Sequence, residues 1–258
     1  MQYLITTAVC LLAGLGAGLG TGFAGMSAAA VISPMLIVFL DMDPYLSVGI
    51  ALASDVLASA VSAITYGKNR NLDLRNGLYM MAAVLVFTLA GSYVASLVPG
   101  TALGGASTFM TMLLGIKFIV RPDVAPKQRL INATKKQKAI RSVAFGALVG
   151  LICGFVGAGG GMMMLLVLTT ILGYELKTAV GTSVLIMSVT AFTGALSHFV
   201  IGGMPDMEAL ILCVLSTLIF AQLASVIANK VSNIVLNRAT GTVLVVLGVS
   251  ILIVKYIV

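Results

Sequence analysis

The chain has 258 residues, of which 60% are apolar and 9% charged, with a formal net charge of +7. An ordinary soluble domain carries roughly 25% charged residues, so this composition excludes one and points to an integral helical membrane protein. Alternating ten-residue segments of the membrane-barrel type are missing from the sequence, and the basic residues lack the interleaved aromatics of a nucleic-acid surface.

Apolar runs fall at about 4–20, 26–40, 44–66, 75–97 and 102–120, then at about 140–156, 160–173, 178–201, 208–228 and 238–257. The first run, following Met1-Gln2-Tyr3, lacks the basic start of a secretory signal and is read as a retained helix. Its Gly14, Gly16, Gly18 and Gly20 suit close helix packing. Runs 26–40 and 160–173 reach only about 20–23 Å, short of the roughly 30 Å hydrocarbon core. Each follows a Gly-rich break: Gly22-Phe23-Ala24-Gly25-Met26-Ser27 and Gly154-Phe155-Val156-Gly157-Ala158-Gly159-Gly160-Gly161. Gly22 and Gly154 stand 132 positions apart, and the same offset pairs Asp43 with Glu175, Val48 with Val180 and Gly49 with Gly181. The sustained register reads as an internal repeat.

Seven of the fifteen Lys and Arg lie between Arg121 and Arg141, in one loop between the halves. Take that loop as cytoplasmic and let the short runs cross. Lys68, Arg70, Arg75, Lys177, Lys230 and Arg238 then also face the cytoplasm, and Asp41, Asp43, Asp206 and Glu208 face outside, as the positive-inside bias requires. Five crossings per half give the halves opposite orientations. The expected fold is an all-α polytopic membrane protein with two inverted-topology repeats, residues 1–120 and 142–258, flanking a basic loop at 121–141. Both termini are expected outside, in a multi-pass protein of the cell inner membrane.

An unwound backbone in lipid must line a cavity or be buried in protein. The helices beginning near Met26 and Gly159 present free N–H groups and a positive dipole end, which favour an anion. Gly25, Met26, Ser27, Gly157, Ala158, Gly159 and Gly160 are therefore candidate substrate-binding residues, with helix packing as the competing explanation of the glycines. A phosphate-cradle reading needs a strand before the glycines, and here a membrane helix precedes them. Thr182 and Ser183 are candidate hydroxyl donors that alternatively bond the preceding helical carbonyls. Asp55 is the one carboxylate well inside an apolar run, with Ser54 and Ser59 nearby. It is a candidate for proton coupling or a structural carboxyl facing the bundle interior. The matching position in the second half is Met187.

His198, the only histidine, is expected at the interface; Gln222 is expected to be buried; Lys117 is expected to snorkel. Tyr3, Tyr45, Tyr66, Tyr174 and Tyr256 fall at run ends, where interfacial rings sit. Cys10, Cys153 and Cys213 read as core residues, and the Met residues, including Met162-Met163-Met164, as gap fillers. No metal-ligand spacing, HExxH or intramembrane carboxylate pair stands in the sequence, so neither a metal, a cofactor nor an enzymatic activity is expected.

The two Gly-rich halves, the basic central loop and Ala179-Val180-Gly181-Thr182-Ser183 resemble the sulfite exporter TauE/SafE family over nearly the whole chain. Gly157-Ala158-Gly159-Gly160-Gly161 looks like that family's Gly-rich turn. The first copy departs, with Met26-Ser27-Ala28-Ala29 in place of most glycines. Pro34 matches the Pro expected after the first turn, and Leu166 stands in the equivalent place in the second half. The resemblance implies a membrane transporter, an exporter of sulfite or organosulfonates such as sulfoacetate; the residues themselves, Asp55 for a proton and the Thr182-Ser183 hydroxyls for sodium, make proton or sodium coupling the expectation. A homodimer is compatible with it, and nucleic acid is not an implied partner. The alternative is a channel-like or cation-coupled transporter in which Asp55 and unwound carbonyls bind the ion.

Overall fold

The computed structural model describes residues 2–98, 116, 120, 135–156, 161, 164–165, 167–232, 234–235, 238, 242, 245–246 and 249. Among them are seven α-helices: α1 (Gln2–Ala24), α2 (Ala29–Leu40), α3 (Pro44–Lys68), α4 (Leu74–Ser96), α5 (Lys135–Val156), α6 (Leu176–Gly202) and α7 (Met207–Ala228). A short π-helical turn occupies Val167–Ile171. The membrane reading holds: α1, α3, α4, α6 and α7 each contain a stretch long and apolar enough to cross a bilayer. Their outward faces carry Leu4, Leu78, Val86, Phe192, Ile211 and Ile219, as hydrocarbon requires. Helix α5 starts at Lys135, so the last seven residues of the expected 121–141 loop are helical. Lys117, Met162 and Met163 lie outside the described residues.

Local chemistry sets the helix ends. Gly25 takes a left-handed φ of +61°, and its N–H closes on Thr21 O at 2.9 Å, stopping α1. Asp43 caps α3, its carboxylate accepting the Leu46 N–H at 2.8 Å with Pro44 in the first turn. Asp206 caps α7 in the same way through Ala209, at 2.9 Å. Glu175, the counterpart of Asp43, sits at the N-cap of α6 without a side-chain cap bond.

Glycines at four-residue spacing let two helix pairs approach closely. A Cβ on Gly14, Gly18 or Gly22 of α1 would meet Ser216, Phe220 or Ala224 of α7. A Cβ on Gly146, Gly150 or Gly154 of α5 would meet Met80, Val84 or Thr88 of α4. The two stripes match at the 132-residue offset. Only alternate members of the expected Gly14–Gly20 series serve this seam, because 3.6 residues per turn puts i and i+4 on one face.

Side-chain contacts give the direction of each helix. At one end Ile5, Thr6, Phe39, Leu40, Asp41, Met42 and Asp206 line a cavity of about 550 Å³. Gly202 packs on Tyr45 and Leu46 there, and the Tyr45 hydroxyl donates to Ser92 O at 3.2 Å. At the other end Asn71 donates to Asn229 at 3.0 Å, Lys177 to Asn229 O at 3.0 Å and Tyr174 to Asp73 at 2.8 Å. The first end holds Asp41, Asp43, Asp206 and Glu208; the second holds Lys68, Arg70, Lys177 and Lys230. Helix α1 runs from the acidic end toward the basic end, and α2 runs back to the acidic end. Of the helices matched by the offset, α1 and α5, α3 and α6, and α4 and α7 run in opposite directions.

Candidate functional site

The first break is built from its backbone. With α1 stopped at Ala24, the chain runs unwound through Gly25–Ala28 before α2 begins. Thr21 ties this segment down by donating to Met26 O at 2.9 Å. Helix α2 starts at mid-depth, since Ser27 and the Ala28 amide face Asp55, which is twelfth of the 25 residues of α3. The start of α2 is thus deep in the bundle, where the Ala29 N–H is capped by Ser27 Oγ at 3.3 Å and the Ala30 N–H by Ser27 O at 3.1 Å.

Elements of the second half close on this segment. A Cβ on Gly161 would stand 2.5 Å from Gly25 O and 2.8 Å from Ser27 N. Ser183 of α6 packs against the position a Gly25 Cβ would take, its hydroxyl 3.5 Å from Gly25 O and bonded at 2.9 Å to Val180 O. Gly25, Met26, Ser27, Asp55 and Ser183 therefore share one buried junction with Gly161. Gly157, Ala158, Gly159 and Gly160 lie outside the described residues.

Thr182 is engaged elsewhere. Its hydroxyl accepts the Asp73 N–H at 3.0 Å, just before α4. Adjacent residues on a helix point about 100° apart, so Thr182 and Ser183 serve different neighbours. Met26 offers little to a ligand, because its N–H points at Gly20 O, 3.3 Å away, and its carbonyl accepts from Thr21.

Asp55 is fully buried. Ser59 donates to its Oδ1 at 2.7 Å, and Oδ2 has no hydrogen-bond partner among the described residues. Its carboxylate stands at the N-terminus of α2, where the sequence pattern placed an incoming anion. An acidic side chain of the protein itself thus stands at this helix start.

Two expectations fail at the flanks of the breaks. Tyr66, expected at the interface, is fully buried and donates to Gly22 O at 3.0 Å. His198, also expected at the interface, is fully buried, with Nδ1 3.0 Å from Tyr45 O and Nε2 3.2 Å from Gly154 O. The carbonyls of Gly22 and Gly154 lie in the last turns of α1 and α5, where helical partners run out. Tyr66 and His198 are related by the 132-residue offset, and so are their glycine partners. This equivalence was available in the sequence. Position within an apolar run misled, because a run end can be covered by a neighbouring helix. Gln222 likewise departs from expectation: it is exposed, and its Oε1 accepts from Thr65 at 3.3 Å.

Among the described residues no three His, Cys, Asp or Glu side chains gather as metal ligands. A cavity of about 480 Å³ between α3, α6 and α7 is lined by apolar residues such as Ala53, Phe192 and Leu210, and it offers an anion no donor.

The polytopic helical bundle agrees with the outcome of the family comparison. A profile described as "Sulfite exporter TauE/SafE" matches residues 10–251. The chain belongs to this family. A curated relative, "Probable membrane transporter protein YunE" of Bacillus subtilis (strain 168), is 23% identical over 228 residues, covering 82% of this chain and 84% of the relative. Another, "Probable membrane transporter protein YdhB" of the same organism, is 21% identical over 201 residues, covering 78% of this chain and 82% of the relative. As a TauE/SafE protein the chain is an integral, multi-pass membrane transporter embedded in lipid.

Proposed function

We propose that this chain is a secondary transporter of small sulfur-containing oxyanions, such as sulfite or sulfoacetate, exporting them across the cell inner membrane. The family description supports substrate class and direction. The observation that carries the mechanism is the contact of Gly161 with the Gly25–Ser27 backbone at the mid-depth start of α2. Donors at a buried helix N-terminus bind an anion through dipoles and N–H groups, without a fixed counter-charge, and such a site can also release. Ser27 and Ser183 add hydroxyls, and the sequence pattern adds Gly157, Ala158, Gly159 and Gly160 as further candidate substrate-binding residues.

The substrate meets Asp55 as a competitor. A carboxylate and an oxyanion at one helix start repel each other, so anion entry is favoured when Asp55 takes up a proton. Among the described residues Oδ2 lacks a hydrogen-bond partner, which leaves room for that proton. Proton binding and anion binding thus support one another at a single site. Opposite helix directions and the paired glycine stripes support two inverted repeats, whose relative movement alternates access. The positive-inside bias assigns the basic end to the cytoplasm.

A second reading has its own observation. Oδ2, which lacks a partner among the described residues and lies beside Ser59, suits a cation, with Asp55 as ligand and the helix start incidental. Flux in reconstituted liposomes separates the two readings. Sulfite, sulfoacetate, thiosulfate and sulfate are tested with and without a pH gradient. The anion reading expects flux of at least one of them, stimulated by the gradient. Cation flux with no anion flux would sink it.

A further inference from the structure

We propose that His198 is a proton-binding site, whose imidazolium form ties the last turn of α5, at the second Gly-rich break, to the start of α3. The proposal does not depend on the substrate class. It rests on what the two ring nitrogens face. Nδ1 lies 3.0 Å from Tyr45 O and Nε2 lies 3.2 Å from Gly154 O. Both partners are backbone carbonyls, which accept and cannot donate. Neutral imidazole carries one N–H, so it satisfies one carbonyl and turns a lone pair on the other. Imidazolium carries two and satisfies both. Turning the ring over would set carbon atoms against both oxygens, so the other ring orientation offers no escape.

The surroundings hold the ring in this bridge. The Tyr45 ring lies on it, centroids 4.1 Å apart. Gly49 clears the approach, since a Cβ there would stand 3.1 Å from the His198 Cβ. Few titratable groups are near. From α3 there is the Tyr45 phenol, held by Ser92 of α4, and at its N-cap Asp43, committed to the Leu46 amide. From α5, Cys153 adjoins Gly154, and at the start of α7 Asp206 is committed to Ala209. No carboxylate acts on the imidazole among the described residues. Burying a cation costs free energy that two charge-assisted hydrogen bonds offset only in part, so the ring's charge depends on keeping both carbonyls.

The first half shows what the bridge adds. There Tyr66 reaches Gly22 O with a phenol O–H, a neutral donor whatever the physiological pH. One break is tied permanently and the other by a proton. Loss of that proton turns a ring lone pair on one of the two carbonyls, weakening the bridge between α5 and α3 while the Tyr66 tie of the first half stays fixed.

His198 is the chain's sole histidine, so its ring can be observed without assignment. The full-length protein, labelled with ¹⁵N-histidine and placed in lipid bilayers, is examined by NMR between about pH 5 and about pH 8. At the low end both ring nitrogens should give protonated-type signals; at the high end one should become pyridine-type. A pyridine-type nitrogen at full intensity at the low end overturns the proposal, and so does a doubly protonated ring that never titrates. Hydrogen exchange of the amides preceding residue 157 gives a second readout. Beyond the intrinsic pH effect, exchange should rise about tenfold in the wild type over this range, the worth of one charged hydrogen bond. His198→Gln should abolish that step. A step that persists in His198→Gln would also overturn the proposal.

Discussion

Gly161→Ala tests whether the two breaks touch. The added Cβ would stand 2.5 Å from Gly25 O, 2.8 Å from Ser27 N and 3.0 Å from Met26 C. An ordinary carbon–oxygen contact is about 3.3 Å, so the first approach is short by about 0.8 Å. Every neighbour is backbone, and none can rotate aside. The segments must separate, at the cost of overpacking a buried site, about 1–3 kcal/mol. For a chain of this size each kcal/mol shifts the melting temperature by about 2–4 °C, so a fall of about 6 °C is expected. The control is Gly67→Ala, whose Cβ would find only Leu72 Cδ1 at 3.9 Å. Replacing a helical glycine there should leave the melting temperature unchanged or slightly raised. Both variants are melted in the same detergent and assayed for sulfite binding well below their transitions. Gly161→Ala should lose binding while folded. If it melts with Gly67→Ala and binds like the wild type, the two segments do not meet at a functional junction.

Other substitutions follow the same geometry. Tyr66→Phe leaves the buried Gly22 carbonyl without its donor and should lower stability by about 1–3 kcal/mol, read by thermal or denaturant unfolding. Thr182→Ala should cost about 1 kcal/mol by orphaning the Asp73 N–H, with little change in anion affinity. Ser183→Ala should do the reverse, weakening anion binding measured by calorimetry while barely altering the melting curve. Equal effects from the two would remove the distinction between their roles. Gly150→Val should drive α5 from α4, because its Cβ already meets Val84 O at 2.6 Å; normal stability in that variant would contradict the close approach.

Much of the fold was legible because hydrocarbon imposes simple rules. Run lengths located the helices, and charge separated the acidic loop Asp41–Asp43 from the basic loop at Lys68–Arg70. The 132-residue offset identified Gly22 with Gly154 before their equivalent contacts were visible. Side-chain commitments were harder to read. Thr182 and Ser183 are neighbours in sequence, yet one caps the approach to α4 and the other faces Gly25. Tyr66 and His198 looked interfacial by position, whereas tertiary packing brings each to an orphan carbonyl. Asp55 was recognisable as an expensive buried carboxyl. Its placement at the start of α2 was not, since it depends on how far α2 descends into the bundle.

Anion binding to Asp55→Asn tests the central claim most directly. Sulfite affinity is measured by calorimetry for wild type and variant across neutral pH. If the anion binds at the start of α2 in competition with the Asp55 carboxylate, wild-type affinity should rise as pH falls. The variant should bind at least about tenfold more tightly than the wild type at high pH, and its affinity should no longer follow this proton. Loss of binding in Asp55→Asn, or an unchanged pH dependence, would contradict the account and favour Asp55 as a cation ligand.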